Sequence, residues 1–516
     1  MNYFEQSDFD VFQNGGKPRD TLLEKKYHTP LDKFKELTNK VKDAVNKKLP
    51  KGDELSVEVD VKCLTTPGRN VNQTLISYKW ARFYIHNCQG LLKPNTNDPY
   101  TQNVFGLSIN KDGLHIGVNI NLQQTKTISK EQKTAINQIE NRTRKDISND
   151  DLNRLVDTIS EYILSHESDY LENGAILGIQ ECIRRKTINT MKQLLITNYN
   201  LILTGAPGTG KTYLAMEIAK KITGDSNDNN HPHYEMVQFH PSYDYSDFVE
   251  GLRPISDSKG NIGFIRMDGV FKAFCKKALN VYNNSEEKED VQKFVFIIDE
   301  INRGEMSKIF GELFFSIDHG YRGVKGKIKT QYQNLVDKEY DANGNMTTNE
   351  DLFKDGFFIP ENVYIIGTMN DIDRSVESMD FAMRRRFAFK EIRATDRESM
   401  LDEKIKDSKV RDKAILKMHN LNYRIQTIDG LNEAYHVGPS YFGKIKKDDD
   451  FGGLWDYHIK GLLYEYLRGM PNAKELLESL YRAYEAEESY VIVNNGDLVL
   501  DSNKSDAWKN KVIEKK

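Results

Sequence analysis

The chain of 516 residues contains one segment whose residue types and spacing suit the binding of phosphate groups. The segment reads GAPGTGKT and fits the pattern G-x-x-x-x-G-K-[ST]. The glycines let backbone N–H groups turn inward towards an anion, the lysine adds a positive charge, and the threonine hydroxyl is an oxygen ligand for Mg²⁺. We therefore predict that GTP or ATP binds here with Mg²⁺, through Gly205, Ala206, Pro207, Gly208, Thr209, Gly210, Lys211 and Thr212.

Two apolar segments further along the chain end in polar residues that suit the cleavage of a phosphate bond. Asp299 and Glu300 follow FVFII, and Asn370 follows VYIIGTM. Such apolar runs are typical of strands buried on both faces of a parallel sheet, whose carboxyl ends face the ligand crevice. We expect Asp299 to hold Mg²⁺ together with Thr212. Glu300 is placed to polarise the attacking water as a general base, and Asn370 to contact the γ-phosphate or that water.

Three consecutive arginines, Arg384, Arg385 and Arg386, form the most concentrated positive charge near these motifs. Adjacent cations without acidic partners repel one another unless an anion lies near them, and a phosphate bound by an adjacent subunit is such an anion. An arginine supplied in trans accelerates phosphoryl transfer by about 10³–10⁵-fold. The alternative interpretation is a solvated basic surface or a patch that faces DNA.

Taken in order, these motifs are similar to those of AAA+ ring NTPases, and several segments resemble the McrB-like motor subunits of modification-dependent, type IV restriction systems. The resemblance is carried by VQFHPSYDYSDFVEGLRP, DEINR, GTMNDIDRS, FAMRRRF and VGPSYF. It implies a sensor role for Asn370, a signature aspartate at Asp373, and trans-acting arginines at Arg385 and Arg386. It also implies that Asn302 and Arg303 help to hold the water or the subunit junction.

The same resemblance implies an NTP-hydrolysing ring motor that couples hydrolysis to DNA translocation and to activation of a nuclease partner. The expected partners are further copies of this chain, expected as a hexamer, an McrC-like nuclease subunit, and DNA, modified or not. McrB-like proteins favour GTP and most AAA+ relatives use ATP, and no residue in these motifs reads a guanine. The segment MNDID departs from the usual Met-Asn-Thr-Ala-Asp, and Pro439 stands where a histidine is common.

Two other functions are compatible with parts of the pattern. The first is a protein-remodelling ATPase of the MoxR or dynein-related kind, with a protein client. The second is a nucleotide-gated scaffold, which the intact Lys211, Asp299 and Glu300 disfavour. An acidic pair at 53–54 and a D-x-K at 60–62 have the bare pattern of a metal-dependent nuclease, but so short a pattern arises often by chance. We therefore expect no nuclease activity in this chain.

The pattern of apolar residues predicts three regions along the chain. Residues 1–180 read as an α+β domain, a candidate for DNA or target recognition, with a helix over 31–49 and strands in LSVEVDVKC, SYKWARFYIHN and LHIGVNINL. The polar stretch over 129–169 is predicted to be a helical lid or connector. Residues 181–393 read as an α/β P-loop AAA+ core with a parallel sheet and helices on both faces, and residues 394–516 as a helical lid with a C-terminal extension.

Composition and the N-terminal region bear on DNA binding and on the cellular location of the protein. The net charge is −4, from 73 basic and 77 acidic residues, so any contact with DNA must come from a local patch. The basic run over 40–51 and the aromatics Tyr78, Trp80, Phe83 and Tyr84 could contact phosphates or an extruded base, but a solvated helix face and a sheet core are the favoured interpretations. Four dispersed cysteines and the lack of a signal peptide or long apolar run predict a cytoplasmic protein without membrane contact.

Overall fold

The computed structural model describes residues 2–14, 26, 28–48, 55–59, 78–85, 103–110, 112–120, 130–176, 180–225, 232–256, 262–286, 291–335, 351–372, 381–445 and 450–504. The chain divides into two compact units, Met1–Asn189 and Thr190–Lys516. The finer division at residues 393 and 394 stays a prediction. In the ranges described, no helix combines the length and the apolar character needed to cross a membrane.

The first unit consists of helices around an antiparallel sheet with the strand order β1-β2-β3-β4-β5. Its elements are α1 (Gln6–Asp10), α2 (His28–Asn46), β1 (Leu55–Val59), β2 (Tyr78–Ile85), β3 (Asn103–Asn110), β4 (Gly113–Ile120), α3 (Lys130–Thr143), β5 (Lys145–Ile147), α4 (Leu152–Ser165) and α5 (Glu167–Ile176). The α+β class and the predicted helix and strands of this region are therefore confirmed.

Two features of this unit differ from the sequence prediction. Strand β3 was not predicted, although Phe105, Leu107 and Ile109 alternate and are buried in the core as strand residues are. The interpretation of residues 129–169 as a lid or connector is wrong. Helix α4 places Leu155 and Ile159 in the same core as the sheet, because the apolar residues of α4 recur on one face of the helix.

Several predictions about the first unit fall on residues that are not described. Phe83 is fully buried in the core, as the sheet-core interpretation requires. The side chains of Tyr78, Trp80 and Tyr84 lie outside the described residues, and so do residues 53–54 and 60–62 of the nuclease-like pattern.

The second unit begins with the end of helix α6 (Gln180–Asn198) and contains a parallel sheet, a helical region and two hairpins. In chain order the following elements are β6 (Asn200–Thr204), α7 (Lys211–Thr223), β7 (Tyr234–Gln238), α8 (Tyr245–Phe248), β8 (Glu250–Ser256), β9 (Ile262–Asp268), α9 (Val270–Asn284), β10 (Phe294–Asp299), α10 (Met306–Phe310), α11 (Leu313–Ser316), β11 (Val363–Thr368), α12 (Phe381–Arg384), β12 (Ala388–Glu391), α13 (Met400–Lys404), α14 (Ser408–Gln426), α15 (Pro439–Phe442), α16 (Phe451–Leu454), α17 (Lys460–Tyr466), α18 (Ala473–Glu485), β13 (Val491–Asn494) and β14 (Asp497–Leu500).

The parallel sheet has the order β12-β6-β11-β10-β7, and every neighbouring pair of strands runs parallel. Strands β6 and β11 are buried along their whole length, as their continuous apolar sequences predict. Because all five strands point the same way, the residues that follow β6, β10 and β11 meet at one edge. The α/β core and the helical lid are confirmed, while the hairpin β13–β14 after the lid was not predicted.

A cluster of buried charges joins the hairpin β8–β9 to the core. Lys272 Nζ lies 2.5 Å from Glu250 Oε2, and Arg266 Nη2 lies 2.5 Å from Asp351 Oδ2. Lys276 Nζ lies 3.0 Å from Asp351 Oδ1. Burial alone would raise the pKa of Asp351, but the charge of Lys276, the Phe353 N–H and the Arg266 guanidinium together lower this pKa to about 2. The cluster joins residues that are distant in sequence, so no local pattern predicted it.

Replacing Asp351 with asparagine is expected to lower the free energy of unfolding by about 3 kcal/mol, because Arg266 and Lys276 each lose one carboxylate partner and keep Glu250 or Asp268. The folded-state pKa of Asp351 lies below the unfolded value, so the stabilisation is present above about pH 4 and is lost as the pH falls through about 2. Urea unfolding at neutral and acidic pH measures both effects. Glu478→Gln, which breaks an exposed pair with Arg482, is the control and should cost less than about 1 kcal/mol. An equally small cost for Asp351→Asn would contradict the argument.

Candidate functional site

The glycine-rich segment forms the turn between β6 and α7 that its sequence predicts. Gly208 and Gly210 have φ angles of 78° and 76°, a left-handed conformation that glycine adopts without strain. A Cβ atom at Gly208 would also lie 2.6 Å from the Tyr441 ring, so a larger residue does not fit. The turn leads directly into the first turn of α7, and backbone N–H groups at the start of a helix are suited to bind an anion.

Lys211 is buried at the centre of this turn, with only 7 % of its surface exposed. Its ammonium donates hydrogen bonds to the carbonyl oxygens of Gly205 and Ala206, at 2.9 and 2.8 Å. Burial lowers the pKa of Lys211 to about 8, against the opposing charges of Glu300, Asp371 and Asp299. Lys211 has no ion pair at contact distance with any residue that the structure describes. A cation held in this way by backbone carbonyls is suited to a triphosphate.

Asp299, at the end of β10, lies beside the first residues of α7. Its Oδ1 accepts hydrogen bonds from the hydroxyls of Thr212, at 2.7 Å, and Thr368, at 2.6 Å. The carboxylate and the Thr212 hydroxyl are hard oxygen donors of the kind that Mg²⁺ prefers, so the residues present fit this ion. The described residues contain no cluster of three or more His, Cys, Asp or Glu side chains that could hold a metal ion.

Thr368 was not predicted, and it joins the two acidic residues. While its hydroxyl donates to Asp299, its oxygen accepts a hydrogen bond from the Glu300 N–H, at 3.2 Å. The signal in the sequence is its position, because Thr368 is the last residue of β11 and β11 is the neighbour of β10. The contact of Thr368 with Asp299 and Glu300 could be predicted only once β10 and β11 were known to be neighbours.

The Glu300 carboxylate is held by two side chains from different elements. Asn370 Nδ2 donates to Oε1, at 2.8 Å, and Arg303 Nε lies 3.3 Å from Oε2. Glu300 has a φ angle of 52°, a left-handed conformation that costs a residue with a side chain about 1–3 kcal/mol. Asn302 donates to the Asn370 carbonyl oxygen at 3.4 Å, and its own Oδ1 is buried without a hydrogen-bond partner among the residues described. The predicted base and sensor residues therefore lie in direct contact.

The three arginines lie at the opposite edge of the sheet. The Arg386 carbonyl oxygen accepts a hydrogen bond from Asn200, the first residue of β6, while the phosphate-binding turn follows the last residue of that strand. The strand between them spans about 13 Å. Arg385 is exposed and, within the described part of the chain, has no ion-pair partner. Arg386 is partly buried, with its guanidinium 5.6 Å from the Phe314 ring centroid.

The lid packs directly on the phosphate-binding turn, a contact that was not predicted. The N–H groups of Gly438 and Ser440 donate to the carbonyl oxygens of Pro207 and Gly208, both at 3.0 Å. Gly438 approaches the backbone of Gly208 so closely that a Cβ atom would overlap it. Asp373, the predicted signature residue, lies outside the described residues.

Comparison with known families agrees with this geometry. The family model for an AAA domain of the dynein-related subfamily matches residues 200–387, and the model for the alpha-helical lid domain of McrB matches residues 413–474. Residues 200–474 form an McrB-like AAA NTPase module. The phosphate-binding turn, the acidic pair and the arginines all lie in the AAA part of the McrB-like module.

Two curated relatives resemble the module. The chain is 37 % identical over 268 residues to the Type IV methyl-directed restriction enzyme EcoKMcrB subunit of Escherichia coli (strain K12), covering 50 % of each chain. It is 28 % identical over 211 residues to the Type II restriction enzyme BsuMI component YdiS of Bacillus subtilis (strain 168), covering 37 % of this chain and 56 % of the relative. The chain thus spans about half the length of the curated relatives it matches.

Solved structures similar to the McrB-like module are distant. One is the Thermotoga maritima RuvB Holliday junction branch migration motor, with 11 % identity, a TM-score of 0.24, and coverage of 63 % of this chain and 94 % of that chain. A likeness this weak adds nothing to the assignment, which depends on the family models and the curated relatives.

The affinity of the McrB-like module for nucleotide is expected to fall as the pH rises through about 8. Phosphate attracts the protonated form of Lys211, which is present below its pKa of about 8 and lost above it, so the dissociation constant should rise by at most about tenfold per pH unit. Titrations with a fluorescent nucleotide analogue on both sides of this pH measure the effect. Lys211→Arg stays charged throughout and should bind more weakly but without this pH dependence. A wild-type affinity that is constant across pH 8 would contradict the assignment.

Proposed function

We propose that the McrB-like module hydrolyses GTP or ATP with Mg²⁺ at sites shared between neighbouring copies of the chain in a ring. The observation that carries the proposal is the separation of the two halves of the site. The phosphate-binding turn, Asp299 and Glu300 lie at the carboxyl edge of the sheet, and the Arg386 backbone is bound at the amino edge.

Each residue of the carboxyl edge has a defined part in the proposed reaction. The backbone N–H groups of the turn and Lys211 bind the phosphates, and Thr212 with Asp299 would hold Mg²⁺. Glu300, oriented by Asn370 and Arg303, accepts the proton of the attacking water. Mg²⁺, when bound, neutralises part of the phosphate charge. Asn302 supports this arrangement through its hydrogen bond to the Asn370 backbone.

An arginine from the next copy would complete the site. Because Arg385 is exposed at the edge opposite its own turn, a head-to-tail arrangement of copies would bring it to a neighbour's phosphates, and such an arrangement closes into a ring when the rotation between successive copies adds up to a full turn. We expect a hexamer. Arg386 shares the proposed role, but its Nη1 donates to the Ala382 carbonyl oxygen and its guanidinium lies against Phe314, so Arg385 is the better placed of the two.

The two curated relatives are components of restriction enzymes, and we infer that this chain is the motor of an McrBC-like restriction or defence system. In this role, hydrolysis drives translocation along DNA and activates an McrC-like nuclease subunit. Residues 1–180 would then recognise the DNA target, modified or not. This system would operate in the cytoplasm.

A protein-remodelling ATPase is the second candidate, since the matching AAA model is that of the dynein-related subfamily. The lid argues against it, because residues 413–474 match the McrB lid model. Hydrolysis assays with GTP and with ATP, each with and without DNA and a nuclease subunit, distinguish the two functions. Stimulation by DNA or by the nuclease supports the restriction motor. Stimulation by a protein client alone would reject it.

Arg385→Ala is expected to reduce turnover by about 10³–10⁵-fold and to leave nucleotide affinity nearly unchanged, because the arginine acts on the transition state in a neighbouring copy. Steady-state hydrolysis and equilibrium binding measure the two quantities. Arg468→Ala is the matched control, since Arg468 is an exposed arginine of the lid whose partner is Glu465, and its turnover should equal that of the wild type. Full turnover by Arg385→Ala would exclude Arg385 from the shared site.

A further inference from the structure

Asn200, the first residue of β6, is fully buried, and its side-chain amide contacts the arginine-bearing segment 381–387. Its Nδ2 donates to two backbone carbonyl oxygens, those of Ile317 at 2.7 Å and Arg386 at 2.9 Å. Its Oδ1 accepts from Arg322 Nη2 at 2.5 Å. All of the hydrogen-bonding groups of the amide except one acceptor position are therefore used inside the protein.

The chemistry of these partners fixes the orientation of the amide. Arg322 can only donate hydrogen bonds and the two carbonyl oxygens can only accept them, so exchanging Oδ1 and Nδ2 would break all three contacts. Arg322 is itself buried, and its Nε and Nη1 have no hydrogen-bond partner in the described part of the chain. Arg322 therefore depends on Asn200 Oδ1 for the hydrogen bond that it makes.

One of the two carbonyl oxygens is that of Arg386 itself, and the other belongs to the segment against which the Arg386 side chain lies. Ile317 directly follows α11, whose Phe314 ring lies 5.6 Å from the Arg386 guanidinium. The Arg386 carbonyl oxygen belongs to the turn that carries Arg385. One amide thus fixes the arginine segment and the surface on which Arg386 lies, at the same time.

Asn200 also connects this segment to the phosphate-binding turn of its own copy. It begins β6, and β6 ends at Thr204, directly before Gly205. Strand β12, which continues from the arginine segment, pairs with β6 from Leu201 to Thr204. The two functional edges are therefore joined by two parallel, hydrogen-bonded strands.

We propose that Asn200 is a positioning residue that holds the arginines of one copy in the orientation needed by the nucleotide site of the next. This inference depends on the proposed shared site. Asn200 touches neither substrate nor reacting atoms, and acts through the backbone position of Arg386 and its neighbour Arg385. Displacing such a group by about 1 Å can reduce the rate by about 10²-fold.

Asn200→Asp tests the proposal with an isosteric change. The aspartate still accepts from Arg322, and it gives that buried cation a carboxylate partner, but it cannot donate to the Ile317 and Arg386 carbonyl oxygens. We expect turnover to fall by about 10²-fold while nucleotide affinity is retained. Asn200→Ser, which keeps a smaller donor, should show a smaller loss. Wild-type turnover by both folded variants would overturn the proposal.

Asn362 provides a matched control. It is a buried asparagine directly before β11, and its Nδ2 donates to the carbonyl oxygens of Ala278 and Gln292, both at 3.0 Å. Neither of these carbonyls belongs to the arginine segment. Asn362→Ser should lower the thermal unfolding midpoint much as Asn200→Ser does, but should keep wild-type turnover. Equal losses of turnover in the two serine variants would show that Asn200 acts only through the stability of the fold, and would overturn the proposal.

Mixing of subunits separates a positioning role from damage to the residue's own nucleotide site. Glu300→Gln inactivates the acidic edge of a copy, and Arg385→Ala inactivates its arginine edge. A mixture of these two variants should therefore regain turnover wherever the intact acidic edge of one copy meets the intact arginine of the other. Asn200→Asp should regain turnover with Glu300→Gln and not with Arg385→Ala. The opposite pattern would overturn the proposal. If the mixture of Glu300→Gln and Arg385→Ala stays inactive, the shared site itself is rejected, and the role of Asn200 with it.

Discussion

The parallel pairing of five strands is the constraint on which the site depends. Because β6, β10 and β11 all point in one direction, the residues that follow them meet at a single edge, and the residues that precede β6 and β12 meet at the other. Phosphate-binding and acidic groups occupy the first edge, and arginines the second. An arginine side chain is shorter than a strand length of about 13 Å, so the proposed site, which needs both kinds of group, would take them from two copies of the chain.

Asp299 and Glu300 are held in place by hydrogen bonds from β11, from the residues just after it and from α7. Glu300 has a left-handed backbone conformation, and its N–H is bound by Thr368 while its carboxylate is bound by Asn370, both from β11 or just after it. The contacts from β11 offset the local strain and place the carboxylate. Asp299 is fixed in the same way, by hydroxyl groups from α7 and β11. The position of the Glu300 carboxylate, the proposed general base, therefore depends on the pairing of β10 with β11.

The sequence predicted those parts of the site that are encoded locally. A glycine-rich turn between an apolar strand and a helix, and acids after a second apolar strand, can be recognised without knowing which strands are neighbours. Thr368, Asn200 and the buried pair Arg266–Asp351 could not be recognised, since each acquires its role from a partner distant in sequence. Strand β3 is a different case, because its alternating Phe105, Leu107 and Ile109 are a local signal that the prediction missed.

Two close backbone contacts link the phosphate-binding turn to its surroundings. A Cβ atom at Gly205 would overlap the Ile392 carbonyl oxygen just after β12, and one at Gly438 would overlap the backbone of Gly208. Since interiors packed this closely do not deform continuously, a change in the turn on phosphate binding must displace either the lid or the end of β12. Displacement of β12 would be transmitted along the strand to the arginine segment before it, which Asn200 also binds. In the proposed ring, the backbone would thus provide a direct physical route from the nucleotide of one copy to the arginine that this copy offers to the next.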